Sequence, residues 1–146
     1  MGSPCRKSLA PFSVALVLLL VAPPSGLAAE IDKCSPSVDH ASERECLERV
    51  ARLANEELLA AEARLLAAIK QWDEDKEWKD KAIDQLELSV AAFREYQMAV
   101  CNFDASLAAG GNEAGDMRAE CMYRLATQRT RMLSDLIGWF HHLTYR

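Results

Sequence analysis

The side chains best suited to covalent chemistry here are four cysteines, Cys34, Cys46, Cys101 and Cys121. A fifth, Cys5, lies before an apolar segment near the start of the chain. Zinc ligands usually come in pairs two to four residues apart, and none of these cysteines is that close to another. An even number in a small exported chain reads instead as two disulfides. Four cysteines allow three connectivities, and loop closure favours the local one, Cys34–Cys46 with Cys101–Cys121, because shorter loops close with less entropy loss. Cys101 and Cys121 flank "CNFDASLAAGGNEAGDMRAEC", which contains Gly110, Gly111 and Gly115. A crosslink of this span contributes on the order of 3 kcal/mol in the chain-entropy model.

Other reactive side chains do not assemble into a catalytic pattern. No nucleophile elbow, zinc-protease helix, phosphate loop or dinucleotide fingerprint is present, so no catalytic residue, metal ligand or cofactor is assigned. His40 with Asp39 and Glu43 reads as a polar lead-in to a helix rather than a metal cluster. His141 and His142 are adjacent, and adjacent residues of a helix do not face each other. The carboxylates of "WDEDKEWKDK" (72–81) lie between helical segments. Two carboxylates hydrolyse a glycoside only across a cleft, so this run reads as solvated surface. Trp72, Trp78 and Trp139 sit on or beside apolar stripes and read as packing residues, with interface anchors as the alternative.

The elements that would position these residues begin after residue 29. Arg6 and Lys7 precede the apolar run "VALVLLLV" (14–21), and "PPSGLAA" follows. That order is a secretory signal peptide cleaved after Ala28 or Ala29. The run is shorter than the roughly 20 residues a membrane span needs. Cys34 follows Ile31, Asp32 and Lys33, not the small-residue box of a lipoprotein, so no membrane anchor is expected. The mature domain is residues 30–146, in the periplasm or secreted. Only two of the 17 basic residues precede residue 30 and none of the 22 acidic ones does, which leaves a mature charge of −7. Nucleic-acid binding needs clustered Lys and Arg and is excluded. The acidity favours a basic partner.

The periodicity of residues 30–146 is helical. Ser42 and Glu45 form a capping box, followed by an apolar face of Cys46, Val50, Leu53, Leu58, Ala61, Leu65, Ile69 and Trp72. A turn is expected near residues 73–76. A second helix carries Trp78, Ala82, Leu86, Val90, Phe93 and Cys101. A third starts near 112–116 and carries Met117, Cys121, Leu125, Met132, Leu136 and Phe140, widened by Leu133 and Ile137. The expected fold is all-α: a small three-helix up-down-up bundle with all four cysteines at one end.

With the cysteines placed, the chain resembles the lysozyme inhibitor LprI-like N-terminal domain, a small, exported, mostly helical, cysteine-bearing module. In "ECLERVARLANEELLAAEARLL", Cys46, Ala54 and Leu58 fit the family pattern. Asn55 stands where Asp is usual there, and Leu59 replaces an Asn. In "FREYQMAVC", Tyr96 and Cys101 fit, Phe93 stands where Trp is usual and Gln97 replaces an Arg. In "GG…CMYRLATQRTRML", Gly110, Gly111, Cys121, Thr127, Arg129 or Arg131, and Leu133 fit. The chain is similar to the family over nearly all of its mature length, as a divergent member.

The resemblance implies a non-enzymatic binding protein, a monomer, that docks an acidic rigid domain on a basic enzyme such as a c-type lysozyme. On that reading Gly110, Gly111, Asn112 and Glu113 are candidate contacts. Phe93, Tyr96, Thr127 and Arg129 are family-motif positions, with Tyr96 and Arg129 expected to bond across the second and third helices. The alternative is a structural or chaperone-like helical protein of the periplasm, which would display an exposed apolar surface.

Overall fold

A computed structural model describes Ile31, Cys34 and residues 39–143, apart from the side chains of His141 and Leu143. The expected signal segment, and the juxtaposition of His141 with His142, lie outside the described residues. Three long helices make up the fold: α1 (His40–Gln71), α2 (Lys76–Ser106) and α3 (Ala114–Leu143). At 1.5 Å per residue each is about 45 Å long. Arg44 of α1 meets Asp116 of α3 at one end, and Trp72 after α1 meets Phe140 of α3 at the other. α1 and α3 therefore run parallel, and α2 returns between their ends.

The first helix begins earlier than its sequence suggests. Asp39, not Ser42, is the cap: its carboxylate accepts from the backbone N–H groups of Ala41 and Ser42 at 3.1 and 3.2 Å. Ser42 becomes a donor, its hydroxyl lying 2.8 Å from Asp39 Oδ2. A carboxylate is the stronger acceptor for the helix's unpaired N–H groups and is favoured by the positive end of its dipole. The Ser42 hydroxyl, then the backbone N–H groups, hold the Asp39 carboxyl below its ordinary 3.8. A lowered carboxylate stabilises the fold above the unfolded value, and that contribution is lost as pH falls through the folded one. Acidification below 3.8 is therefore expected to fray the first turn of α1. Amide exchange at Ala41 and Ser42 will accelerate there in the native chain, and Asp39→Ala will remove that pH step.

Packing is uneven. α1 and α3 form the main interface, α2 leans on α3, and α1 touches α2 least. On α1 the buried stripe includes Leu47, Val50, Ala51, Ala54, Leu58, Ala61, Leu65 and Ile69. On α3 it includes Ala119, Tyr123, Ala126 and Leu133. The alanines keep this stripe shallow, and helix separation follows the size of the side chains between. On α2 only Gln97 and Cys101 are buried.

Several stripe residues face outward instead. Leu53, Trp78, Met132 and Leu136 are about half exposed. For Leu53, Met132 and Leu136 the cause is helix rotation: α1 and α3 turn their alanines toward each other, which swings the neighbouring large residues to the rim. Trp78 lies on α2, which buries only Gln97 and Cys101. Trp72 and Trp139 pack edge-on against Phe140, at 5.5 and 5.1 Å between ring centroids. Trp78 lies under the Lys81 ammonium, 5.3 Å from its centroid.

Candidate functional site

The site starts from the disulfides. Cys34 pairs with Cys46, and Cys101 with Cys121. The first ties the segment before α1 to its second turn. The second ties the last turns of α2 to the first turns of α3. Both fall at the end of the bundle where α1 starts and α2 hands over to α3, and the second brackets the connection 107–113.

That connection is short, exposed and anchored. Gly110 takes a φ of +81°, and Ala109 before it also enters the left-handed region, at +49°. Glycine reaches this region without the Cβ penalty other residues meet. Gly111 has ordinary backbone angles but little room: a Cβ there would lie 3.1 Å from the Ala108 carbonyl oxygen. Its N–H donates to that same oxygen at 2.8 Å. Arg44 reaches over from α1, donating through Nη2 to the carbonyl oxygen of Asn112. Its Nε donates to Asp116 Oδ1 at 3.1 Å. Asp116 is 9% exposed, and His40 Nε2 stands 3.6 Å from its second oxygen. The expected polar lead-in to α1 is thus a clamp between α1 and the start of α3. Gly110, Gly111, Asn112 and Glu113 are all exposed on the loop it holds. Among the described residues no group of three His, Cys, Asp or Glu side chains is placed to hold a metal ion.

The motif positions divide between interior and surface. Thr127 is buried in α3. Arg129 crosses to α2 but does not meet Tyr96. Its Nη2 donates to Ser89 Oγ, and its guanidinium lies 5.4 Å from the centre of the Phe93 ring. Tyr96 is 55% exposed and points away from the bundle. Leu88, Tyr96 and Phe103 follow one outward stripe of α2, continued by Leu107 just past its end, and all four are more than half exposed. Gln97, one residue on, is buried and joins all three helices. Its amide nitrogen donates to Asn55 Oδ1 of α1 and to the Met122 carbonyl oxygen of α3, each at 3.2 Å.

A groove that sequence reading missed runs between α1 and α2, where the helices are least closely packed. Its wider part has a volume of about 410 Å³ and is lined by Leu59, Leu66, Leu86 and Val90. It continues past Glu62 and Arg94 toward Asn55 and Met98. Glu62 appears in the sequence as one member of a charged face, yet it is 8% exposed.

A bundle of three helices fastened by two disulfides, with an exposed clamped loop at one end, defines a small all-α domain. The chain belongs to the lysozyme inhibitor LprI family, whose model matches residues 33–133. No curated protein and no solved structure matches the chain significantly. Among the described residues no helix is long and apolar enough to cross a membrane.

Proposed function

We propose that residues 30–146 are exported and act outside the cytoplasm as a monomeric, non-enzymatic inhibitor of a c-type lysozyme. The observation that carries this reading is the family match over residues 33–133. Its physical support is threefold. The mature charge of −7 complements a basic enzyme and speeds encounter. Two disulfides suit an oxidising compartment. The loop at Gly110, Gly111, Asn112 and Glu113 is held before binding by the second disulfide and by Arg44, so little ordering is left to offset affinity.

The test is a titration of oxidised residues 30–146 against a c-type lysozyme, following lysis of a cell-wall suspension at low and moderate salt. Stoichiometric inhibition that persists at moderate salt is expected. Inhibition that disappears with modest salt, or none at all, overturns the reading. A second reading, a chaperone-like or structural role, draws on the exposed stripe of Leu88, Tyr96 and Phe103 on α2 with Leu107 just beyond it. Under that reading the protein suppresses aggregation of unfolded clients and leaves lysozyme active.

A further inference from the structure

We propose that the α1–α2 groove receives a lysine or arginine side chain of a basic partner protein, with Glu62 as its acceptor. This deepens the inhibitor reading and rests on it for the partner's identity. Glu62 is 8% exposed, and its two oxygens are treated differently. Oε2 accepts from Arg94 Nη2 at 3.4 Å, from a side chain that is itself 57% exposed. Oε1 is buried with no hydrogen-bond partner. A buried acceptor without a donor is costly, and a carboxylate oxygen more so than a neutral one. Arg94 offsets part of that cost at Oε2, but among the described residues no donor reaches Oε1. A donor from outside would offset the remainder.

The walls say which donor. Leu59, Leu66, Leu86 and Val90 line the groove next to the carboxylate. A lysine or arginine combines an aliphatic stem, which suits such walls, with a cationic head, which suits the carboxylate. A neutral hydroxyl or amide would match Oε1 less well. An anion would meet Glu62 and Glu87, since Arg94, the one cation of this lining among the described residues, is already paired with Glu62 Oε2. The mature charge of −7 draws partners of the same sign preference. The groove also lies along the weakest helix contact of the bundle, and its volume of about 410 Å³ is room for a long side chain.

The experiment has two arms on the oxidised mature protein. In the first, octylammonium, octanol and octanoate are titrated while backbone and methyl NMR shifts are followed. Octylammonium is expected to move Leu59, Leu66, Leu86 and Val90, with at least tenfold weaker binding to Glu62→Gln. Ala91→Arg, which places a cation at the groove wall from within, is expected to abolish it. Ala92→Arg adds the same charge one residue away, outside the groove lining, and should bind octylammonium as the native chain does. Melting curves identify any variant that fails to fold. Equal binding of octylammonium and octanol, or no effect of Glu62→Gln in a folded variant, overturns the proposal. In the second arm a c-type lysozyme is titrated into the same variants by calorimetry. Loss of at least tenfold in affinity for Glu62→Gln and Ala91→Arg, but not Ala92→Arg, supports the groove as the docking site. Undiminished lysozyme binding by both groove variants overturns the groove and leaves the inhibitor reading standing. If lysozyme does not bind the native chain, the inhibitor reading falls and the first arm alone decides the groove.

Discussion

Reducing both disulfides will lower the melting temperature by roughly 20 °C, the sum of about 3 kcal/mol per crosslink at about 3–4 °C per kcal/mol for a domain of this size. The crosslinked residues are separated by 12 and 20 positions, and both bridges close the end of the bundle that holds the connection 107–113. A small domain has limited core, so this is a large share of its net stability. The bridges will not open together. Cys101 and Cys121 are 0% and 1% exposed, whereas Cys46 is only half-buried. Cys34–Cys46 is therefore expected to reduce first, with Cys101–Cys121 following only after local opening. Thiol counting during calorimetry, with a Cys34→Ala/Cys46→Ala variant as the intermediate, checks both the size and the order. An unchanged melting curve after verified reduction would remove the argument that the disulfides hold this end.

Leu133→Ala will destabilise the fold by about 3 kcal/mol, within the usual range for truncating a buried leucine, while Leu136→Ala will cost less than about 1 kcal/mol. Three residues apart on α3, the two side chains lie in different surroundings. Leu133 is 2% exposed and belongs to the main hydrophobic cluster, so its removal leaves a cavity. Leu136 is 48% exposed and its neighbour Met132 is 53% exposed. Urea unfolding of the two variants, fitted with a common slope, measures the contrast. Equal losses would mean that α3 is rotated about its axis relative to this packing.

That contrast marks where sequence reading stops. Period 3.6 identifies α3 as amphipathic, but it draws the stripe through the largest apolar residues, Met132 and Leu136. The packed interface centres on Leu133, which the pattern places only at the edge of the stripe, and on Ala119, Tyr123 and Ala126, which it leaves out. Alanine is a weak marker of burial in sequence and a decisive one in packing, because it sets how closely two helices approach. The same limit applies to the polar residues. Asn55 and Gln97 are two separate departures from the family pattern in sequence. In the fold they are one hydrogen-bonded pair, with Gln97 also donating to Met122. In this chain the two amides share a hydrogen bond across α1 and α2 without burying charge.

Residue pattern alone gave the all-α class, the three helices, a turn near residues 73–75, the family and the favoured cysteine pairing. The family rests on the resemblance of its motifs, and the others follow from local periodicity, from glycine and charge punctuation, or from the entropy of closing short loops; none depends on how the helices face one another. Tertiary structure alone decided which leucines are interior, that Arg44 clamps the glycine loop, that Arg129 meets Ser89 and Phe93 rather than Tyr96, and that Glu62 is buried beside an open groove. These depend on the rotation and spacing of three helices about their axes. An amphipathic pattern fixes a helix's rotation only to within about one residue's 100° step, and that step separates a solvated glutamate from a buried one.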